Sequence, residues 1–319
     1  MDYAQPASRL RLVTRVARMY HEQGLKQPQI AQSLHVSQAK VSRLLKRAEQ
    51  LGIVRVVILP PPGGHSELEE ELVSRYGLLD AVVADAPSGD EKAITSAVGA
   101  AAALYLEDVL LGHERIGISS WSETLLAMVT VLTRRPQPVA DSVAQVIGGV
   151  GIPEAQVQAT RLTEQLAALT GGQPLFLPTP GVVSGSSLRD AMLAEPYVAQ
   201  VVEAWSQLTV LLAGIGSLDP SPLLRRSGNA IAEADQEALR TLGAVGDVCL
   251  RFFDATGKHV DSGLDGRVIG IDPKTLVAVP RRVGVAGGQR KHSAIRAAVL
   301  GSWINVLVTD VDTARVLLA

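Results

Sequence analysis

Two stretches of the chain carry residue types at spacings suited to holding an anion. In Val285-Ala-Gly-Gly-Gln-Arg-Lys-His-Ser293, Gly287 and Gly288 let a backbone approach a ligand closely, and Lys291 follows at the start of a helix. A lysine there opposes the helix dipole unless an anion is near, so Lys291 is the preferred phosphate ligand. The spacing is not that of a nucleoside-triphosphate loop. In Ile116-Gly-Ile-Ser-Ser120 a strand end leads to Ser122 as the cap of the next helix. Free N–H groups at such a helix start attract anions, and Ser119, Ser120, Ser122 and Thr124 add hydroxyl donors. Plain capping without a ligand is the alternative here, as a solvated surface lysine is at Lys291. Gly148-Gly149 and Gly214-Ile-Gly216 follow apolar runs and suit either the open ends of strands or tight turns. Asp254 and Asp310 could accept ligand hydroxyls, although Asp254 could instead start a turn. The six histidines lack metal-ligand spacing, so neither a metal site nor a cofactor is expected.

A different chemistry is expected of the helix that follows Ser37. If Val41, Leu44, Leu45 and Ala48 face inward, then Gln38, Ala39, Ser42, Arg43 and Lys46 face out. Glutamine pairs bidentately with adenine and arginine with guanine in the major groove, which makes Gln38 and Arg43 candidate base readers. Lys40, Lys46 and Arg47 suit phosphates, and Ser42 suits either. The segment Gln27 to Lys46 fits a helix-turn-helix: Ala31 is small where the helices touch, and Ile30, Val36, Val41 and Leu44 are apolar where the unit needs it. The turn position that favours positive φ is His35. A generic three-helix unit with a basic surface is the alternative.

Charge divides the chain in the same way. Residues 1–59 hold ten Lys or Arg against three acids, a net +7, while the remainder holds 20 against 29, a net −9. A basic head on an acidic body is the footprint of a polyanion-binding module joined to something else. Helices are expected over 10–22, 26–34 and from Ser37 to Gly52. The β-rich run Ile53 to Leu59 leaves a winged variant open. Pro60-Pro-Pro-Gly-Gly64 reads as a linker. Beyond it, a helix over 67–76 precedes apolar runs at 81–84, 116–118, 142–147, 208–215, 277–285 and 304–308. These alternate with helical stretches at 92–111, 123–132, 154–169, 188–193 and 291–300, the pattern of an α/β domain with a largely parallel sheet. The expected division is 1–59, a linker 60–66, and 67–319. The lone Cys249 reads as a core residue and excludes a disulfide framework. No run is long and apolar enough for a membrane span and the N-terminal stretch lacks a signal-peptide core, so a cytoplasmic location is expected.

Head and body together resemble the SorC family of sugar-responsive transcription regulators. The similar stretches are Val16-Ala-Arg-Met-Tyr20, Ile30-Ala31, Val41-Ser-Arg-Leu-Leu45, Gly52-Ile-Val54, Gly148-Gly149, Gly214-Ile-Gly216, Gly243-Ala-Val-Gly-Asp247, Phe253-Asp-Ala-Thr-Gly257, Val285-Ala-Gly-Gly288 with Lys291, and Leu307-Val-Thr-Asp310. The resemblance implies an all-α helix-turn-helix head and an α/β C-terminal domain similar to sugar-phosphate isomerases. It further implies a small phosphorylated sugar or polyol as effector, double-stranded operator DNA as partner, and a homodimer or homotetramer. The loop Ser119-Ser-Trp-Ser-Glu-Thr-Leu125, including Trp121 and Glu123, is expected to line the effector pocket. Many members have glycine where Ser122 stands, which leaves the effector's identity open. Ile147 stands where some members have a lysine, so covalent capture of an aldehyde there is not expected. The rival reading is an isomerase or deaminase with an appended head. Such an enzyme needs a positioned general base, and no carboxylate–histidine arrangement presents itself.

Overall fold

Apolar spacing in the first fifty residues produces three helices, α1 (Ala7–His21), α2 (Gln27–Ser33) and α3 (Gln38–Gln50). Val16, Ile30, Ala31, Val41 and Leu45 interlock as a small core, and Val13, Ala17 and Ala48 form a second beside Ile53 and Val54. Pro28 lies in the first turn of α2, where a missing N–H leaves no bond unmade. Ser37 caps α3, its Oγ accepting the Lys40 amide at 3.3 Å. The turn between α2 and α3 holds His35 at φ 51°, so the positive-φ position falls where the sequence puts it. This computed structural model describes residues 7–54, 64–87, 89–219, 225 and 231–319. Most of the run 53–59, with its winged variant, and most of the Pro-Gly linker therefore lie outside the described residues.

The chain divides into two units, Met1–Pro61 and Pro62–Ala319. Among its described residues the second has α4 (Ser66–Tyr76) followed by ten strands: β1 (Asp80–Ala84), β2 (Glu114–Ile118), β3 (Ala140–Gln145), β4 (Gln173–Leu175), β5 (Val210–Ala213), β6 (Ile215–Ser217), β7 (Ala244–Val248), β8 (Arg251–Asp254), β9 (Arg281–Val285) and β10 (Val306–Asp310). Seven make one sheet in the order β1-β10-β9-β5-β2-β3-β4, every pair parallel. The register sets Val82 against Val308, Val283 against Leu212 and Ile116 against Val210. Parallel strands are covered on both faces and so read as continuous apolar runs. All four residues of β5 are buried. Its Val210 and Leu212 join Ile116, Ile118, Val285 and Val308 under α5 (Glu91–Val109), α6 (Glu123–Val131) and α7 (Pro153–Thr170). Its Leu211 and Ala213 join a core on the other face with Val198, Val201 and Trp205. Truncating a leucine in either core costs about 2–5 kcal/mol.

Several elements depart from the sequence expectation. The run 208–215 breaks at Gly214 into β5 and β6, and β6 turns away to pair with β7 and β8 in a small antiparallel sheet. The run 277–285 begins as a helix, because the Asp272 carboxylate caps Pro273–Ala278 by accepting the Lys274 and Thr275 amides. The helices Pro196–Trp205 and Glu233–Thr241 were not anticipated. Nor was the β7–β8 hairpin, whose turn places Cys249 at φ 56° and Leu250 at φ 59°. Both backbones lie in the left-handed region that glycine or asparagine ordinarily supplies to such turns.

Candidate functional site

The C-terminal ends of the central strands β2, β5 and β9 open onto one cavity of about 140 Å³. Ligands collect at this end of open parallel sheets. After β2, Ser119 accepts the Gly214 amide at 3.3 Å, and Ser122 caps α6 by accepting the Leu125 amide at 3.3 Å. The Ser122 cap leaves no room beside it: a Cβ on Gly214 would lie 2.8 Å from its Oγ. Trp121 is buried and turns its indole onto the cavity wall, with Nε1 donating to the Gly148 carbonyl at 3.1 Å. Ser120 donates to the Ile147 carbonyl at 3.0 Å. These two bonds tie the loop to the end of the neighbouring β3 and prebuild that wall.

After β9 the chain makes a loop at Gly287-Gly288 and a short 3-10 turn, Gln289–Lys291, before the helix His292–Leu300. Gly288 adopts φ 92°, and its amide donates to Asp310 Oδ2 at 2.8 Å and to Thr313 Oγ1 at 3.1 Å. A Cβ on Gly287 would sit 2.3 Å from the same carboxylate. The loop is thus held from behind, and Lys291 lines the cavity in front. Burial pushes the Lys291 ammonium below its ordinary range, opposed by Asp247 and Glu123.

Asp247 reaches the cavity from β7. Its Oδ2 accepts the Leu250 amide at 2.9 Å across the Cys249-Leu250 turn. Its Oδ1 fills the space above Gly216, where a Cβ would lie 2.0 Å away. Burial pushes this carboxyl up to about 6, opposed by the Leu250 amide and Lys291. Of the other charges on the lining, Arg290 pairs with Glu91 at 3.4 Å and Asp219 with Arg240 at 3.5 Å, while Glu123 is exposed and has no ion pair among the described residues.

Of the residues singled out from the sequence, the cavity brings together Ser119, Trp121, Ser122, Glu123, Thr124, Gly214, Gly216, Gly287, Gly288 and Lys291. Ser120, Gly148 and Gly149 are not on its lining. Gly148 instead lets the Pro180 carbonyl approach to within 2.2 Å of where a Cβ would be, and Gly149 lies against the Gln145 amide. Asp254 is not on the lining either: its carboxylate accepts the Thr256 and Lys258 amides and the Thr256 hydroxyl, closing a turn. Asp310 is likewise absorbed, in orienting Gly288. Sequence reasoning missed Asp247, although it lies in one of the stretches that carried the resemblance. Among the described residues no group of acidic, histidine or cysteine side chains could hold a metal.

In the first unit, α3 presents a polar face. Gln38, Ala39, Lys40, Ser42, Arg43 and Lys46 are exposed, and Arg47 is half-buried. Arg43 Nε donates to the Ala39 carbonyl at 3.3 Å, which lays its guanidinium along the helix. Among the described residues Lys40 and Lys46 have no acidic partner, so this face is a surface of unpaired positive charge.

Residues 61–319 match the family model described as "Putative sugar-binding domain". The chain is 32% identical over 313 residues to the sorbitol operon regulator of Klebsiella pneumoniae, covering 97% of this chain and 98% of that one. It is 31% identical over 302 residues to the deoxyribonucleoside regulator of Bacillus subtilis (strain 168), covering 94% and 95%. The crystal structure of the full-length sorbitol operon regulator SorC from Klebsiella pneumoniae superposes with a TM-score of 0.73 at 29% identity, over 98% of this chain and 100% of that one. A basic three-helix unit, a parallel α/β unit with a cavity at its strand ends, and relatives matched over nearly their whole length place this chain in the SorC family of transcription regulators with a sugar-binding domain.

Proposed function

We propose that this regulator's affinity for its operator is set by a phosphorylated sugar or sugar alcohol held at Lys291. One observation carries the reading: Lys291 lines a cavity, its ammonium is desolvated, and that ammonium has no ion pair or hydrogen bond among the described residues. An unpaired desolvated cation is costly, and an anion in the cavity removes the cost. Thr124 and the start of α6 supply neutral donors for the same phosphate. Asp247 accepts ligand hydroxyls. Relatives named for a sorbitol operon and for deoxyribonucleosides support a sugar or sugar-alcohol skeleton.

The head, residues 1–59, acts as a helix-turn-helix with α3 in the major groove. Gln38 and Arg43 read bases, Ala39 and Ser42 lie against them, and Lys40, Lys46 and Arg47 hold phosphates. A linker over 60–66 joins it to the effector-binding and oligomerising body, 67–319, a non-catalytic relative of sugar-phosphate isomerases. A homodimer or homotetramer in the cytoplasm offers paired heads to paired half-sites. Effector changes DNA affinity to the extent that it favours one arrangement of the assembly over another.

Calorimetry with a matched sugar and sugar phosphate tests the site. Charge-assisted bonds to phosphate contribute about 1.5–3 kcal/mol, so Lys291→Ala should weaken the sugar phosphate roughly tenfold to a hundredfold while leaving effector-free operator binding unchanged. A ligand that binds tightly without phosphate, and is indifferent to Lys291, refutes the site.

A further inference from the structure

We infer that the outer face of α5 and α6 is where a second copy of this chain docks, by a two-fold contact in which the two α5 helices run antiparallel. The inference rests on the homo-oligomer of the proposed function and assigns the surface that builds it. The chain holds no charged residue between Lys92 and Glu107, and none between Glu123 and Arg134. The inner sides of both helices are used in the core, through Ile94, Val98 and Leu106 on α5 and Leu125 and Met128 on α6. Their outer sides are apolar as well. Ala93, Ala97, Ala100 and Leu104 stand at helical spacing on the outer side of α5 and are all at least partly exposed. Leu104 is 65% exposed, Leu111 just past α5 is 88% exposed, and Val131 at the end of α6 is 54% exposed. A helix that is apolar all round is a buried one, and clustered exposed apolar side chains mark a contact surface. Gly99 joins the two helices into one surface, since a Cβ there would lie 2.8 Å from that of Ala127.

Shape and charge both fit a second copy. A two-fold contact sets one surface against itself, and an uncharged surface meets itself without opposing like charges. Glu107, the charge next along α5 from Leu104, is turned onto the Thr133 amide at 2.8 Å. Along the face, alanines come first and leucines last. Reversing one copy therefore lays the leucines of each over the alanines of the other, large into small, whereas a parallel pair would set Leu104 against itself. The rim agrees. Both helices start at the cavity, where Ile94 and Thr95 of α5 and Ser122 and Thr124 beside the start of α6 line it, so they run in the same sense. Glu123 marks the cavity end of α6 and Arg134 lies just past its far end; both are exposed, and neither has an ion pair among the described residues. Reversal brings Glu123 of each copy toward Arg134 of the other. The contact lies on the backs of the two helices whose starts wall the cavity, so ligand and second copy bear on the same pair of helices.

Sedimentation velocity of the full chain tests this. Ala100 lies mid-face, near the two-fold axis, so a charge placed there meets its own copy. Ala100→Glu and Ala100→Lys should each lower the assembled mass to half or less, and mixing the two should restore it by pairing glutamate with lysine. Circular dichroism of each variant alone checks its fold. A second measurement needs no variant: carbene footprinting of wild type should label Leu104 and Leu111 several-fold less in the assembled protein than after dilution to monomer. Wild-type mass in both folded variants overturns the inference and leaves the homo-oligomer intact on another surface. A mass that falls in both and does not return on mixing also overturns it, because the face then meets something other than itself. Equal labelling of Leu104 and Leu111 at both concentrations does the same. A wild type that is monomeric throughout removes this inference and the homo-oligomer together.

Discussion

Asp247 is held against its own solvation preference. Burial raises its carboxyl to about 6 from an unfolded value near 3.8, so over that interval the native state keeps a proton that the unfolded state has lost. Native stability therefore declines as pH rises from about 4 to 6, and the penalty is fully present above 6. Asp247→Asn should remove it: the variant should be more stable than wild type at pH 7.5, by up to about 3 kcal/mol, and match it near pH 4. The same variant should bind a sugar monophosphate several-fold more weakly, since an anionic hydroxyl acceptor is gone. A gain in stability with a loss of binding marks a residue kept for a ligand. On α3, Arg43→Ala should relax specificity at one operator position for about 1–3 kcal/mol. Lys46→Ala should weaken all sequences alike and lower the salt slope by about one. Gel-shift titrations over salt and operator variants separate the two. Lys291 was legible in the sequence because a lysine at a helix start after two glycines is locally anomalous. Asp247 was not, because nothing in its own strand signals that a hairpin turn and Gly216 bring it to the cavity. Asp254, in Asp-Ala-Thr-Gly, carried both a turn signal and a binding signal, and the turn prevailed.

At the scale of elements, the sequence revealed whatever obeys local rules. Alternating apolar runs and helical spacing located the main strands β1, β2, β3, β5, β9 and β10 and the long helices between them. Capping residues explain why α3 starts at Ser37 and α6 at Ser122. What escaped was structure formed against local preference. The β7–β8 turn uses Cys249 and Leu250, both buried, where the backbone calls for glycine or asparagine, so no turn signal marks it. Packing of the small sheet against the helix His292–Leu300 overrides the cost. The head's turn is strained in the same way but is open to solvent at His35, so relief should be visible there. His35→Gly relieves about 1–2 kcal/mol of left-handed strain against about 0.4–1 kcal/mol of added freedom in the unfolded chain, so it should raise the thermal midpoint of the head slightly. Ser37→Ala should lower it by about 0.5–2 kcal/mol, through loss of the cap. Differential scanning calorimetry of both variants checks the signs.

For the whole molecule, two units with separate cores should melt as two transitions. A sugar monophosphate at a hundred times its Kd should raise that of residues 62–319 alone, by about 2.7 kcal/mol. An isolated head of residues 1–59 should bind operator far more weakly than the full chain, which gains from joining two half-sites. The full chain should scatter light as an oligomer at micromolar concentration. The uneven division of charge, +7 over residues 1–59 and −9 over the remainder, has a kinetic consequence. Polyanionic DNA is drawn to the head by counterion release, and that attraction fades as ionic strength rises. The sugar phosphate proposed as effector is also an anion, but the acidic body repels it at long range, and added salt weakens the repulsion. Stopped-flow mixing between about 20 and 300 mM salt should therefore find effector arriving faster as DNA association slows. A change in ionic conditions would then move the two arms of the switch in opposite directions, both toward release of the operator if the effector is an inducer.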